Sequence, residues 1–203
     1  SRVAVVCVGD VGTVLAADRQ IRLSGSNLVF ASTGNVTLQQ SSCRRLVVEA
    51  TGSTGAAWSV TTPEQTYSGT LAATDPLDAI ATLMSADTYV DAVVLDDQLV
   101  LTSVDDNIAM SVSGGLNIAS VGVETEFVCT QTGANIVDID SSWSISTPVS
   151  GWDSAINLSA GILGRLVETD EEYRVRIYKS YRVGRGTDFA IEQYILNNAA
   201  GVT

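Results

Sequence analysis

Short apolar runs separated by polar turns fill residues 3–62. Val3–Val8 is almost continuously apolar, which is typical of a strand buried on both faces. Ile21 and Leu23 alternate with Arg22 and Ser24, so this strand has one apolar and one polar face. Further strands are predicted at Leu28–Phe30, Val36–Leu38 and Leu46–Ala50. Short strands at this spacing predict a small sandwich or barrel-like sheet.

Residues 70–122 open with the signals of a helix start. Asp75 suits the N-cap, Pro76 suits the first helical position, and Asp78 favours the helix dipole. Apolar residues then recur at helical spacing, which predicts a helix over 76–86. Strands are predicted after it at Tyr89–Leu95, Leu99–Ser103, Ile108–Val112 and Leu116–Val123. The segment is therefore interpreted as a small α+β subdomain.

The strand pattern resumes over residues 123–152, with strands predicted at Glu126–Thr130, Ile136–Ile139 and Trp143–Ser146. The runs VVEATGSTG (47–55) and FVCTQTGAN (127–135) are alike, each a strand closed by Thr-Gly. This likeness favours a discontinuous β-rich domain, 1–69 and 123–152, interrupted by the insertion 70–122. A duplicated hairpin would give the same pattern. If the insertion is separate, a chain lacking 72–121 should still fold.

Residues 153–203 carry the clearest helix signals. Thr169 and Glu172 fit a capping box, and the acidic residues 170–172 complement the helix dipole. A helix is predicted near 170–181 and is broken at Val183–Gly186; Thr187 or Asp188 can cap a second one. The fold class expected for the whole chain is α+β: a discontinuous β-rich domain, an inserted αβ subdomain and a C-terminal helical hairpin.

The second helix of this hairpin has apolar residues on two sides. Phe189 and Leu196 lie roughly opposite the side that carries Ile191 and Tyr194, at about 100° per residue. The first helix covers only one of these sides, and the β domain or another protein chain must cover the other. We favour another chain. The predicted interface residues are Tyr173, Ile177, Tyr181, Phe189, Ile191, Tyr194, Ile195 and Leu196.

Three motifs occur in order over residues 128–203. Thr132–Asn135 reads T-G-A-N, and Pro148–Asn157 holds P-x-x-G-x-x-S-x-x-N. An acidic helix start, an arginine-bearing helix, a glycine-rich break and GTDFAIEQYIL follow. This order resembles the baseplate J-like family of contractile phage tails and related injection machines. Residues 9–62 resemble that family's β-rich part only loosely.

The resemblance implies a structural wedge subunit of the virion tail baseplate, assembled in the host cytoplasm, with no enzymatic reaction. Its implied partners are other baseplate wedge proteins and further copies of itself. In the family the chain continues into another strand after the position of Gly201–Thr203. We therefore expect the sequence to be a fragment of a longer polypeptide.

Charge is distributed unevenly along the chain. Residues 46–164 hold 15 Asp and Glu but no Lys or Arg, while 1–45 sum to +3 and 165–203 to 0, giving the net −12. Such an acidic middle segment repels phosphate backbones and anionic membranes. Nucleic-acid and membrane partners are disfavoured, and no apolar run is long enough to span a bilayer. The C-terminal arginines are interpreted as a salt-bridged helix face.

Familiar catalytic and metal-binding patterns are missing from the sequence. Histidine is absent and the three cysteines are far apart, so Ser-His and Cys-His catalysis and the usual zinc sites are excluded. The acidic pairs are interpreted as turns, and we expect no metal and no cofactor. An alternative function is a secreted or surface β-domain adhesin that binds calcium or carbohydrate. A carboxylate hydrolase is the third hypothesis. The acidic runs that could bind calcium are Asp96-Asp97, Asp105-Asp106-Asn107 and Asp138-x-Asp140.

Overall fold

The alternating and apolar runs of the sequence become strands through most of the chain. The computed structural model describes residues 1–164 and 168–181. Its strands are β1 (Arg2–Gly9), β2 (Val14–Leu15), β3 (Gln20–Leu23), β4 (Val29–Ser32), β5 (Val36–Thr37), β6 (Arg45–Ala50), β7 (Ala57–Thr61), β8 (Thr66–Thr70), β9 (Val90–Leu95), β10 (Gln98–Ser103), β11 (Ser111–Gly114), β12 (Leu116–Cys129), β13 (Trp143–Ile145) and β14 (Trp152–Ile156). The helices of the described part are α1 (Pro76–Met84) and α2 (Asp170–Tyr181). The described protein is mainly β-sheet with some helix, which confirms a β-rich α+β fold.

The long strand β12 organises the largest sheet. One of its edges pairs with β1, and its other edge pairs with β6 and then with β4, all antiparallel. The sheet continues from β4 through β3 to β13, from β6 through β10 to β9, and from β1 to β14. β13 and β14 also contact each other. The strands β14, β1, β12, β4, β3 and β13 therefore curl into a barrel-like arrangement. A smaller sheet has the order β11-β7-β8.

The core fills the inner face of this curled sheet. Phe30 and Phe127 are fully buried there, and the Phe30 ring meets the Trp143 ring edge-on with 5.3 Å between centroids. β1 is buried on both faces, because Val5 points inward while Val6, on the opposite face, is also fully buried. The interpretation of the apolar run at the N-terminus is thereby confirmed.

Helix α1 covers the inner face near β9, β10 and β6. Its buried residues are Leu77, Ile80 and Met84, at the helical spacing that predicted it. Pro76 stands at the helix start as expected, but the predicted cap at Asp75 is wrong: its backbone is left-handed (φ 46°) and its side chain makes no capping hydrogen bond. Proline at the first position leaves fewer free N–H groups for a cap to satisfy.

Strand pairing crosses the predicted domain boundaries. β9 and β10 belong to the segment 70–122, yet β10 pairs with β6 from the predicted outer domain. β14 likewise pairs with β1, although most of it lies beyond the predicted boundary at residue 153. The chain forms two compact units, Ser1–Arg165 and Leu166–Thr203. The first unit thus contains both the predicted outer domain and the predicted insertion.

Four strand predictions differ from the structure. The strand predicted at Ile108–Val112 is displaced to Ser111–Gly114. Two strands predicted at Leu116–Val123 and Glu126–Thr130 are one continuous strand, because Asn107 and the flanking strands hydrogen-bond the backbone across the gap. Ile136–Ile139 is not a strand, and its isoleucines are 67% and 58% exposed. β2, β7, β8 and β14 were not predicted as strands. β2 is two residues long and β8 is mostly polar with a glycine, whereas β7 does alternate, with Trp58 and Val60 buried.

Candidate assembly surface

Helix α2 begins with the predicted capping box. The Glu172 N–H donates to Thr169 Oγ1 at 3.2 Å, and the Thr169 N–H donates to Glu172 Oε2 at 2.8 Å. Two N–H groups at the helix start are thereby satisfied reciprocally. Asp170 and Glu171 complete an acidic first turn. The predicted helix over 170–181 is confirmed.

The arginines of α2 are salt-bridged to carboxylates of the same unit. Arg176 Nε and Nη2 each donate to Glu168 at 2.9 Å, and the guanidinium lies 5.1 Å from the centre of the Tyr173 ring. Hydrogen bonding to Glu168 raises the Arg176 pKa. Arg174 forms a weaker pair with Asp170 at 3.9 Å. This is the salt-bridged face predicted from the sequence, and exposed pairs of this kind contribute little stability.

The structure describes only part of the predicted interface. Tyr173 is 48% exposed, Ile177 lies one turn later and is half-buried, and Tyr181 is the last residue of α2. These positions follow at intervals of four residues, so their backbones lie on one side of the helix. The other predicted interface residues, and the whole second helix, lie outside the described residues: Phe189, Ile191, Tyr194, Ile195 and Leu196.

Gly151, in the P-x-x-G-x-x-S-x-x-N motif, occupies a position that only glycine suits. Its φ is +81°, and an added Cβ would lie 2.4 Å from Thr13 Oγ1. Its carbonyl accepts the Asp10 N–H at 2.8 Å and the Thr13 hydroxyl at 3.2 Å. The motif therefore fixes the turn that follows β1.

Asn157, at the end of the same motif, is fully buried, and both polar atoms of its side chain are hydrogen-bonded. Its Oδ1 accepts the Trp143 indole N–H at 2.9 Å, and its Nδ2 donates to the carbonyls of Asp138 and Ser159 at 2.7 and 2.8 Å. These hydrogen bonds fix the local backbone, because moving it would leave a buried polar group of Asn157 or of its partners without a hydrogen bond, at a cost in desolvation. Asn157 thus ties β13 to the chain after β14.

The turn Thr132–Asn135 is also built into the first unit. The Ser1 hydroxyl donates to the Gly133 carbonyl at 3.3 Å and accepts the N–H groups of Asn135 and Gly164, both at 2.8 Å. Gly133 has a φ of +116°, a conformation that glycine adopts without strain. The turn thereby joins both ends of this unit.

An open acidic cavity of about 410 Å³ lies beside the start of α1. The acidic residues that line it are Glu49, Asp75, Asp78, Asp96 and Asp97. Asp96 and Asp97 have left-handed backbones, φ 49° and 60°, and form the turn between β9 and β10, as their sequence predicted. Among residues 1–164 and 168–181, no group of three or more carboxylates or thiols is placed to hold a metal ion.

Calcium should leave the stability of this protein unchanged. The cavity carboxylates do not converge on a common point, and a ligand that binds the native state must raise its melting temperature. We expect millimolar calcium to shift the melting temperature no more than millimolar magnesium does. A calcium-specific rise of more than a few degrees would contradict this expectation and favour the adhesin alternative.

A partly buried ion pair fixes the loop after β10. Arg44 is 8% exposed; its Nη2 donates to the Val104 carbonyl at 2.8 Å, and its Nε lies 3.4 Å from Glu124 Oε2. The Asn107 Nδ2 donates to the Glu124 carbonyl at 2.9 Å, and the Asn107 Oδ1 accepts the Glu124 N–H at 2.8 Å. Burial raises the pKa of Glu124; Arg44 opposes this rise and Asp106 adds to it.

The raised pKa of Glu124 predicts a pH-dependent stability. Its folded-state contribution is complete below the ordinary pKa of 4.5 and is lost as the pH rises through the higher folded value. Relative to Glu124→Gln, the parent should therefore lose melting temperature as the pH rises from 4.5 toward neutrality. Glu126→Gln, at an exposed carboxylate, is the matched control. A parent-minus-variant difference that is flat, or that grows with pH, would contradict the assignment.

The three cysteines are buried free thiols. Burial raises the pKa of Cys7 to about 12 and that of Cys43 to about 11, so neither forms the thiolate near neutral pH. We expect Ellman's reagent at pH 8 to leave the native thiols unmodified for hours and to modify all of them at once in guanidinium. Rapid reaction of Cys7 in the native protein would contradict its placement in the core.

No family model matches the chain, and no curated protein matches it. Neither described helix is long and apolar enough to cross a bilayer. Sequence reasoning did not anticipate the backbone-fixing roles of Gly151 and Asn157, although their spacing in the motif was visible. It also gave no signal that β9 lies at the end of the large sheet.

Proposed function

We propose that this chain is a structural subunit of a contractile-tail baseplate wedge, acting through protein–protein interfaces in assembly and triggering of the tail. The observation that carries the proposal is the order of three motifs over residues 128–203, each resembling its counterpart in the baseplate J-like family. The partners proposed are other wedge proteins and further copies of the chain, on the virion tail. The C-terminal helical hairpin is the proposed assembly element.

The geometry of the motif residues supports the proposal. Gly151 sits where a side chain would clash, both polar atoms of the buried Asn157 side chain are hydrogen-bonded, and the Asn135 side-chain amide donates to the Gln131 carbonyl at 3.2 Å. These residues are restricted by packing and hydrogen bonding. The resemblance therefore rests on positions with a structural reason for their identity, and not on composition.

The buried thiols and the self-paired arginines support a role through interfaces. Cys7 and Cys43 hold their protons near neutral pH, and Arg176 is engaged by Glu168. These groups are therefore poorly suited to nucleophilic attack or to phosphate binding. A surface that binds other proteins needs neither property.

Immunogold labelling of purified contractile-tail particles tests the proposal. Antibody raised against the purified chain should label the end of the tail that carries the baseplate. Antibody absorbed with the purified chain is the control. Particles that contain the polypeptide by mass spectrometry but carry label along the sheath or on the capsid would reject the wedge assignment, as would particles that lack the polypeptide.

A paired substitution tests the hairpin as the assembly element. Phe189→Ser with Leu196→Ser should melt near the parent temperature and fail to enter the particle. Ile136→Ser with Ile139→Ser is the matched control, since both isoleucines are exposed in the first unit. If Phe189 and Leu196 are core residues, each truncation should cost about 2–5 kcal/mol and unfold the region. A folded variant that still assembles would reject the assembly role of the hairpin.

A further inference from the structure

β9 ends the large sheet, and one of its edges is open in the described part of the chain. The strand pairs with β10 in continuous register from Val90–Ser103 to Leu95–Gln98, with no bulge. No other strand formed by residues 1–164 and 168–181 pairs with it. An open edge presents unpaired backbone N–H and C=O groups to any chain that can align with it.

The turn between β9 and β10 fixes which backbone groups face outward. Asp96 and Asp97 both have left-handed backbones, the conformation of a two-residue type I′ turn. Leu95 and Gln98 then form a hydrogen-bonded pair, and bonded and non-bonded pairs alternate along the ladder. The N–H and C=O groups of Ala92 and Val94 are therefore directed away from β10, toward the open edge.

Asp91, Val93 and Leu95 alternate onto the outer face of β9, so this face is apolar over the last three residues of the strand. Val93 and Leu95 are 50% and 52% exposed. Val93 lies opposite Val100, which in turn lies opposite Val47, so an apolar row crosses three strands. Val100 and Val47 are already buried, and Val93 is the member of the row that an added strand can reach. A strand added to β9 would extend this row and cover Val93.

β9 lacks most of the features by which edge strands avoid pairing. It contains no lysine, no proline and no bulge, and its one charged residue is Asp91. Other strands offer less: β13 is three residues long, and β8 is almost entirely polar with a glycine. Of these three strands, β9 is the best suited to accept an added strand.

Charge selects the kind of strand that fits. Asp91 lies in β9, Asp96 and Asp97 form its turn, and residues 46–164 contain no Lys or Arg, so a second acidic copy of this edge would be repelled. The nearest carboxylates in sequence are Asp87, Asp91, Asp96 and Asp97. A strand with apolar residues in its centre and Lys or Arg at its ends complements both the valine row and the acidic surroundings.

We propose that the open edge of β9 binds a basic β-strand of a partner protein by strand addition. Backbone hydrogen bonds to Ala92 and Val94 supply affinity, and the apolar row and the carboxylates select the strand. That the partner is another wedge protein follows from the proposed function. That the edge of β9 binds a basic strand does not depend on that function.

Titration of the full-length chain with a synthetic peptide tests this proposal. The probe has lysines at both ends of an alternating valine–threonine core, and the control peptide has glutamates in place of the lysines. We expect saturable binding of the lysine peptide, slower hydrogen exchange at the Ala92 and Val94 amides, and weaker binding as salt rises. The glutamate peptide should not bind. Equal binding of both peptides, or protection that maps elsewhere, would overturn the proposal.

Proline substitutions separate edge binding from general effects on folding. Ala92→Pro removes an outward N–H and should weaken peptide binding at least about tenfold while the protein stays folded. Val93→Pro removes an N–H that faces β10 and should lower the melting temperature. Unchanged peptide binding by Ala92→Pro would overturn the proposal. If Ala92→Pro does not fold, amide exchange in the parent with the two peptides decides the question.

The two proposals fail in different experiments. Absence of the polypeptide from tail particles rejects the wedge role and leaves strand addition standing if the lysine peptide binds. Failure of the lysine peptide to bind rejects strand addition. The wedge role is then still decided by the particle labelling.

Discussion

A chain lacking residues 72–121 is expected to lose its cooperative unfolding transition. The deletion removes α1, β9, β10 and β11 together with the part of β12 that pairs with most of β6. It strips buried side chains such as Ile80, Leu99 and Leu101 from the core and leaves β6 without its neighbours. Each lost large apolar residue is worth about 2–5 kcal/mol, and their sum exceeds the roughly 5–15 kcal/mol that stabilises a typical domain.

This expectation reverses the one drawn from the sequence, in which 70–122 was a separable insertion. The measurement is thermal unfolding followed by near- and far-ultraviolet circular dichroism. Deletion of 166–203 is the control, because it removes the second compact unit and leaves every strand of the large sheet in place. A cooperative melt and native near-ultraviolet signal in the 72–121 deletion would restore the separable insertion.

Local signals were enough to predict several elements of this fold. The capping box of Thr169 and Glu172, the helical spacing of Leu77 and Ile80, and the two-sided burial of β1 all depend on residues close together in sequence. Pairing between strands depends on residues that are distant, such as Val100 opposite Val47. The spacing of apolar residues along the sequence does not indicate which distant strand a given strand pairs with. The boundary between domain and insertion was therefore predicted at a place where the structure has a continuous sheet.

The candidate functional residues show the same difference between local and distant signals. The motif spacing drew attention to Gly151 and Asn157, but their roles depend on Asp10, Thr13 and Trp143, which lie far away in sequence. The strand β9 was predicted, yet its place at the end of a sheet is a property of topology. Most of the hairpin residues predicted from helical periodicity lie outside the described residues, so that part of the interface stays a prediction.

Gly151→Ala is expected to destabilise the protein much more than the same substitution at Gly12. Both glycines have left-handed backbones, with φ of +81° and +90°. A non-glycine residue in this conformation costs about 1–2 kcal/mol. At Gly12 nothing lies within 4 Å of an added Cβ, whereas at Gly151 the added Cβ would meet Thr13 Oγ1 at 2.4 Å and Asp10 Oδ2 at 3.1 Å.

The difference between the two variants therefore isolates the clash from the backbone strain. We expect a further loss of about 1–3 kcal/mol at Gly151, typical of overpacking a filled site, measured by urea unfolding of both variants. Thr13→Ala in the Gly151→Ala background should recover part of this loss, because it removes the nearest obstructing atom. Equal destabilisation of the two glycine variants would mean that the turn after β1 can move to accommodate the added methyl group. The glycine of the motif would then be explained by its backbone conformation alone.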